Sequence, residues 1–281
     1  MGRLPWIFNP VLDAARVPYS AALVFNAGVA KLGGRYVMVF RNDYGSLEKQ
    51  TLEPSHTTDL SIAFSDDGIH WTAGPKPVFK LRDESFEILS LSTSDLRNMV
   101  LFPERIHGNY VRLERPFTVY SRGGRDPFDA WISESPDLIY WGRSELLLAV
   151  EQVPFANDKI GPAAPPVKTD MGWLTTFHAV DIDPARGKNG WEPSWKKRYT
   201  AGIMLLDLDN PKKILGMSAS PLLAPEAPYE MEGGFRNDVI FPGGMVLEKD
   251  GEVEIYYGAA DTVVCLATAH VDDLIKLCLG E

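Results

Sequence analysis

Ser65-Asp66-Asp67-Gly68-Ile69-His70-Trp71 and Ser135-Pro136-Asp137-Leu138-Ile139-Tyr140-Trp141 repeat one pattern seventy positions apart. Ser, Asp, Ile and Trp recur in register. Each copy follows an apolar strand-like run, LSIAF before the first and DAWIS before the second. Two weaker echoes follow, AGIMLLDLDNPKKIL at 201–215 and CLATAHVDDLIKL at 265–277. Each is an apolar strand leading into an acidic turn and a further apolar stretch. Earlier in each repeat stands a tight turn: Gly33-Gly34 in KLGGRYVMVF, Gly108 in ERIHGNYVRL, Gly172 in VKTDMGWLTTF and Asp250-Gly251 in LEKDGEVEIYY. These residues accept left-handed backbone and read as hairpin turns. The unit is strand, turn, strand, strand, acidic turn, strand. A multi-stranded unit at this period predicts an all-β fold of the β-propeller class. One four-stranded sheet cannot bury both faces, so sheets stack radially and present inner strand ends to a central funnel. Four units are found, read as a single domain over residues 1–281. A helical pattern is confined to Val271–Leu279.

Composition bounds the partners. Hydrophobic residues make up 45% and aromatics 11%, enough to fill a core. Lys+Arg number 28 against 38 Asp+Glu, a net charge of −10. That balance argues against nucleic acid or an anionic membrane as the main partner. The histidines at 56, 70, 107, 178 and 270 show neither HxH nor HxxxH spacing, so no zinc site is expected. No organic cofactor is implied either. Cys265 and Cys278 lie in apolar surroundings and read as buried reduced thiols. No basic-plus-apolar segment opens the chain and no run of 18 apolar residues occurs, which reads as a soluble cytoplasmic protein.

In so acidic a chain an anion site must be built locally from converging cations. Arg97, Arg115, Lys159 and His178 each sit at the edge of an apolar run: LRNMVLFPERI, YVRLERPF, KIGPAAPPV and WLTTFHAV. Asn98 follows Arg97. Recurring at strand edges in successive repeats, these residues are expected to gather around one axis. Arg supplies forked donors to phosphate oxygens, and Lys and His supply point charge. Each has a plain alternative: Asp95 or Glu104 as partner for Arg97, Glu114 for Arg115, Asp158 for Lys159, and a satisfied core position for His178. A second set suits carbohydrate. Arg41 and Asp43, two apart on a strand, point to one face. Asn26 closes the preceding apolar strand. Asp261 follows Gly258-Ala259-Ala260, small residues that let a ligand approach the backbone. The alternatives are an exposed ion pair and a capped turn. Asp181–Arg198, rich in Gly, Pro, Lys and Trp, reads as a long loop, either a lid or a solvated insertion.

Seven stretches, in order, resemble glycoside hydrolase family 130, the β-mannoside phosphorylases and related mannosidases: VFNAGVAKLGGRYVMVFRND, DLSIAFSDDGIHW, RNMVLFPERIHGNYVRLERP, FDAWISESPDLIYWG, KIGPAAPPVKTDMGWLTTFHAVD, AGIMLLDLDNP and VIFPGGMVLEKDGEVEIYYGAADT. The resemblance spans nearly the whole chain and implies a five-bladed β-propeller. It implies that Asn26, Arg41, Asp43 and Asp261 hold the non-reducing-end mannose of a β-mannoside oligosaccharide. It implies that Arg97, Asn98, Arg115, Lys159 and His178 bind phosphate as co-substrate. The family's reaction is inverting: phosphate attacks the anomeric carbon and α-mannose 1-phosphate is released. The hydrolase branch tends to lack the basic set, so its presence favours phosphorolysis.

One departure matters. The family's proton donor is the Asp of an Asp-Pro-Arg motif at the start of the second blade, and this chain has no such motif. Asp126-Pro127 is followed by Phe128 and belongs to the later PFDAW segment. Phe79-Lys80-Leu81-Arg82-Asp83 leads almost at once to Ser85-Phe86-Glu87-Ile88-Leu89, two pieces that in the family flank most of a blade. About one blade, between Asp83 and Phe86, is therefore expected to be missing. The catalytic acid stays unassigned, with Asp83 a candidate stand-in. Two other functions remain open: an inverting glycosidase of the furanosidase-type propellers, and a non-catalytic sugar- or phosphosugar-binding propeller. A homo-oligomer is compatible with each.

Overall fold

The structure, a computed structural model, describes residues 2–3, 8–45, 56–80, 96–116, 128–186 and 196–281. The Asp83–Phe86 junction, and with it Asp83, lies outside the described residues. The chain packs as two compact units. Unit one comprises Met1–Ile88, Ala185–Lys196 and Pro225–Ala269, and unit two comprises Leu89–Pro184, Lys197–Ala224 and His270–Glu281.

Strands appear in chain order as β1 (Gly2–Arg3), β2 (Leu23–Leu32), β3 (Arg35–Gly45), β4 (His56–Ser65), β5 (Thr72–Ala73) and β6 (Phe79–Lys80). There follow β7 (Leu96–Leu101), β8 (Tyr110–Pro116), β9 (Ala130–Ser135), β10 (Glu145–Leu148), β11 (Lys159–Pro162), β12 (Val167–Lys168), β13 (Trp173–Ile182), β14 (Lys197–Leu206) and β15 (Ile214–Met217). The last three are β16 (Ile240–Leu247), β17 (Glu252–Ala259) and β18 (Val263–His270). Two α-helices occur among the described residues, the single turn α1 (Pro228–Met231) and α2 (Val271–Leu279).

The strands form four sheets, two to a unit. Unit one holds β2-β3-β4-β5, with β6 also on β4, and β1-β18-β17-β16. Unit two holds β10-β9-β8-β7 and β11-β13-β14-β15, with β12 also on β13. In unit one's second sheet β1, from the start of the chain, pairs antiparallel with β18 from its end. Sequence dictates this through period-two burial. On β3, Tyr36, Met38 and Phe40 face inward and pack with Val24, Val29, Trp71 and Tyr256. Unit two has its own core, built on Leu113, Ile132, Trp173, Phe177 and Met204.

The repeated Ser-x-Asp motif is a hydrogen-bonded turn, built alike in both copies. Ser65 Oγ accepts from Gly68 N at 2.9 Å, and Asp67 Oδ1 from Ile69 N and His70 N at 2.9 and 2.8 Å. Trp71 Nε1 donates to Gly68 O at 2.9 Å. In the second copy Ser135 Oγ accepts from Leu138 N at 2.8 Å, Asp137 Oδ1 from Ile139 N and Tyr140 N at 2.9 and 2.8 Å, and Trp141 Nε1 donates to Leu138 O at 3.1 Å. Each recurring Ser, Asp and Trp thus has a fixed hydrogen-bonding duty, which is why those letters stand out.

The helical pattern over Val271–Leu279 is the helix α2, and the acidic turn read into the echo at 265–277 is its first turn: the strand ends at His270 and Asp272–Asp273 open the helix, where acidic side chains complement its N-terminus. Leu274 and Cys278, one turn apart, are its buried residues, and Gly280 closes it with φ 76°. The loop read from Asp181 to Arg198 is shorter at both ends. Asp181 pairs with Arg198 and Ile182 with Lys197 as continuing strand, and residues 187–195 lie outside the described set. Cys265 and Cys278 are buried and form no disulfide.

Candidate functional site

Unit two gathers the basic residues. Asn98 on β7 and Arg115 on β8 are cross-strand partners, and Arg115 Nη2 and Nε donate to Asn98 Oδ1 at 2.7 and 3.2 Å. Glu114, the plain alternative for Arg115, is instead taken by Arg112 at 2.6 Å. Arg115 lies over the Phe128 ring at 5.0 Å, and Lys159 Nζ stands 6.0 Å from the same ring and 5.3 Å from that of Tyr199. His178 stacks on Tyr199 with ring centroids 6.4 Å apart. Its strand partner is Gly161. A Cβ at Gly161 would meet His178 Cε1 at 2.6 Å and Arg115 Cδ at 2.8 Å, so a residue without one lets both side chains close on β11.

Arg115, Lys159 and His178, far apart in sequence, therefore converge, with Asn98 holding the guanidinium. Arg97 is on β7 at a register shift between Leu96 and Asn98, and its side chain lies outside the described residues. Of its plain alternatives, Glu104 is engaged by Lys168. The site also contains residues the sequence did not mark. Lys197 Nζ, at the start of β14, is 3.1 Å from Asp158 Oδ2, and Lys159 Nζ is 3.7 Å from that same oxygen.

Electrostatics sets the protonation states. Burial, reinforced by Lys197, pushes the Lys159 ammonium down to about 8; Asp158 raises it and Arg115 lowers it further. His178 is 1% exposed. Burial above all, then Arg115, drives its imidazolium well below the ordinary range, against the pull of the Pro162 carbonyl. Nδ1 lies 3.2 Å from Pro162 O, an acceptor, so Nδ1 carries the ring proton. The ring is thus a neutral polar wall. That corrects the expectation of point charge from histidine: complete burial beside two cations removes it.

Unit one gathers the second set. Arg41 and Asp43 share a face of β3 as their spacing requires, in a two-pronged pair with Nε–Oδ1 at 2.7 Å and Nη2–Oδ2 at 2.6 Å. This is no exposed ion pair, because the Asp43 side chain is fully buried. Asn26 has φ 52° at a register shift in β2, a bulge that turns its side chain out of the alternating pattern. A Cβ at Gly258 would lie 3.8 Å from Asn26 Oδ1, which brings Asn26 beside the turn that carries Asp261. Ala260 and Asp261 both have φ 50°, a left-handed pair held by Thr262 Oγ1 donating to Ala260 O at 2.8 Å.

Arg236, unmarked in the sequence, reaches Asp261 Oδ2 through Nη1 at 3.3 Å, while its own N–H donates to Ala260 O at 3.0 Å. Burial pushes the Asp261 carboxyl above its usual range; Arg236 and Arg41 pull it down and Asp43 pushes it up. Forked donors and carboxylate acceptors at this spacing are suited to pairs of sugar hydroxyls.

A profile described as beta-1,4-mannooligosaccharide phosphorylase, for glycoside hydrolase family 130, matches residues 83–279. The chain belongs to glycoside hydrolase family 130. It is 30% identical to the beta-1,4-mannooligosaccharide phosphorylase of Ruminococcus albus over 320 aligned residues, covering 95% of this chain and 88% of that protein. It is 28% identical to a beta-1,2-mannobiose phosphorylase of Thermoanaerobacter sp., covering 95% and 97%. The solved beta-1,2-mannobiose phosphorylase of Listeria innocua, in complex with beta-1,2-mannobiose, is similar with a TM-score of 0.79 at 23% identity, covering 100% of this chain and 99% of that one. At that identity the likeness speaks to fold, and the fold is the family's β-propeller, its four described sheets standing as blades. The Ruminococcus alignment is longer than the 281 residues of this chain, so the relative carries residues with no counterpart here. That fits a family 130 chain with about one blade fewer.

Proposed function

We propose that this chain is a β-mannoside phosphorylase. Inorganic phosphate is the co-substrate at Asn98, Arg115, Lys159 and His178, with Arg97 alongside. The non-reducing-end mannosyl unit is held by Asn26, Arg41, Asp43 and Asp261. The observation that carries this reading is the convergence of Arg115, Lys159 and Lys197 in a chain of net charge −10. Such a cluster raises the local positive potential and favours an anion. Hydrolysis by water would have no use for it. The family relatives, phosphorylases of β-mannosides, support the same reading.

In the proposed reaction a phosphate oxygen forms a bond to the anomeric carbon as the glycosidic C–O bond breaks, with inversion to α-mannose 1-phosphate. Arg115 and Lys159 orient the nucleophile. The leaving oxygen must take up one proton. The chain has no Asp-Pro-Arg motif to supply it.

The test uses two substrates, a β-mannobiose and a p-nitrophenyl β-mannoside whose leaving group needs no proton, each with and without phosphate. Accumulation of α-mannose 1-phosphate from the aryl mannoside, strictly dependent on phosphate, is expected. Turnover of the disaccharide as well would mean that an acid is in place. Mannose released at a rate indifferent to phosphate would make the chain a hydrolase. Ligand binding without turnover of either substrate would make it a binding propeller.

A further inference from the structure

Lys197 stands closer than Lys159 to the carboxylate that would otherwise neutralise Lys159. Asp158 Oδ2 is 3.1 Å from Lys197 Nζ and 3.7 Å from Lys159 Nζ. The elements packed around the Lys159 ammonium bring few other charges among the described residues. β8 contributes Arg115, β13 the His178 ring, and β14 Lys197 and the Tyr199 ring, with Phe128 beneath. The other carboxylates nearby are committed: Asp181 to Arg198 at 3.1 Å and Asp129 to the Val150 N–H at 2.8 Å.

We propose that Lys197 is a positioning residue of the phosphate site: it draws Asp158 away from Lys159, so that the Lys159 charge is answered by the anionic ligand, and Lys197, Asp158 and Lys159 together set the alkaline limit of phosphate binding. This rests on the phosphate reading above and adds to it a role for Lys197 and Asp158, to neither of which that reading gives a phosphate contact. The depressed proton affinity of Lys159, whose largest causes are burial and then Lys197, agrees. Its sign fixes the pH dependence. Below about 8 the ammonium is charged and donates to the anion. As pH rises through that value the proton is lost and affinity falls. Between that value and the ordinary lysine range, phosphate is taken up together with a proton.

The experiment has two readouts. One is the titration midpoint of Lys159 in ligand-free, ¹³C-lysine-labelled protein, assigned by its loss in Lys159→Arg. The other is the affinity for inorganic phosphate by calorimetry from pH 7 to 10, with sulfate as a dianion that does not titrate over that range. Lys197→Gln should raise the Lys159 midpoint on the order of one pH unit and move the alkaline limit up with it. Asp158→Asn should move both down, and Lys197→Arg should leave both near their original values. Midpoints that stay in place, or that move the same way in Lys197→Gln and Asp158→Asn, overturn the proposal. A protein that binds no phosphate at any pH overturns the phosphate reading instead, and the ligand-free midpoints still judge the triad.

Discussion

In unit one each carboxylate of the polar cluster meets a guanidinium, Asp43 with Arg41 and Asp261 with Arg236. In unit two Lys159 and Lys197 crowd onto Asp158 with Arg115 close by, so that among the described residues cations predominate. The two units nevertheless share one scaffold device, the Ser-x-Asp turn closed by a tryptophan. The difference lies in what each cluster lacks. A set of matched charges needs no counter-ion, and its forks and acceptors are left for hydroxyl groups. A set in which cations converge favours an anion, the phosphate of the proposed function. On the proposed reading, local charge balance is what separates a polyol site from an anion site on similar sheets.

The sharpest way to break this comparison is to cross the two clusters by mutation. Arg115→Met keeps the stem over Phe128 and removes the fork. A charge-assisted hydrogen bond is worth about 1.5–3 kcal/mol, so phosphate affinity should fall about ten- to a hundredfold, read by calorimetry. Mannobiose affinity should hold within about threefold. Unchanged phosphate affinity would mean that unit two's cations serve only each other. Asp43→Asn is the reciprocal variant. It keeps the shape but removes the charge that orients Arg41, and should cost about tenfold in mannobiose affinity. Phosphate affinity should be unaffected. If both variants weakened both ligands equally, the division of labour between the units would be wrong.

The parts of this arrangement that were legible in the sequence are those set by neighbours along the chain. Arg41 and Asp43 meet because residues two apart on a strand share a face. Tyr36, Met38 and Phe40 declare β3 by the same rule. The Ser-x-Asp turns were legible because their hydrogen bonds close within three residues. Lys197 and Arg236 were not, because their carboxylates lie 39 and 25 positions away and the pairing depends on tertiary packing. The neutral state of His178 was equally hidden, since it follows from complete burial beside Arg115 and not from its place in WLTTFHAV. Asp272–Asp273 were legible in two ways, since a tight turn and the first turn of a helix both favour acidic residues, and the apolar spacing of Leu274 and Cys278 marks the helix over Val271–Leu279.

The smallest expected effect tests the half of the comparison in which the units agree. Gly68 and Leu138 occupy the same place in the two turns, with φ of 77° and 69°. Gly68 is confined: a Cβ there would lie 2.6 Å from the Tyr256 hydroxyl, which itself donates to Gly68 O at 2.9 Å. Leu138 fills the equivalent position with a side chain, in a left-handed conformation that costs a non-glycine residue about 1–2 kcal/mol. Leu138→Gly relieves that cost. It also loosens the unfolded chain by about 0.4–1 kcal/mol and gives up the contacts of a half-buried leucine. These terms oppose one another, so stability should change by less than about 1 kcal/mol, a shift of about 2–4 °C or less in the unfolding midpoint. If the turn's hydrogen bonds define the shared device, the glycine variant retains it. A loss well beyond that range would mean that the Leu138 side chain, and not the serine and aspartate around it, holds the second copy in shape.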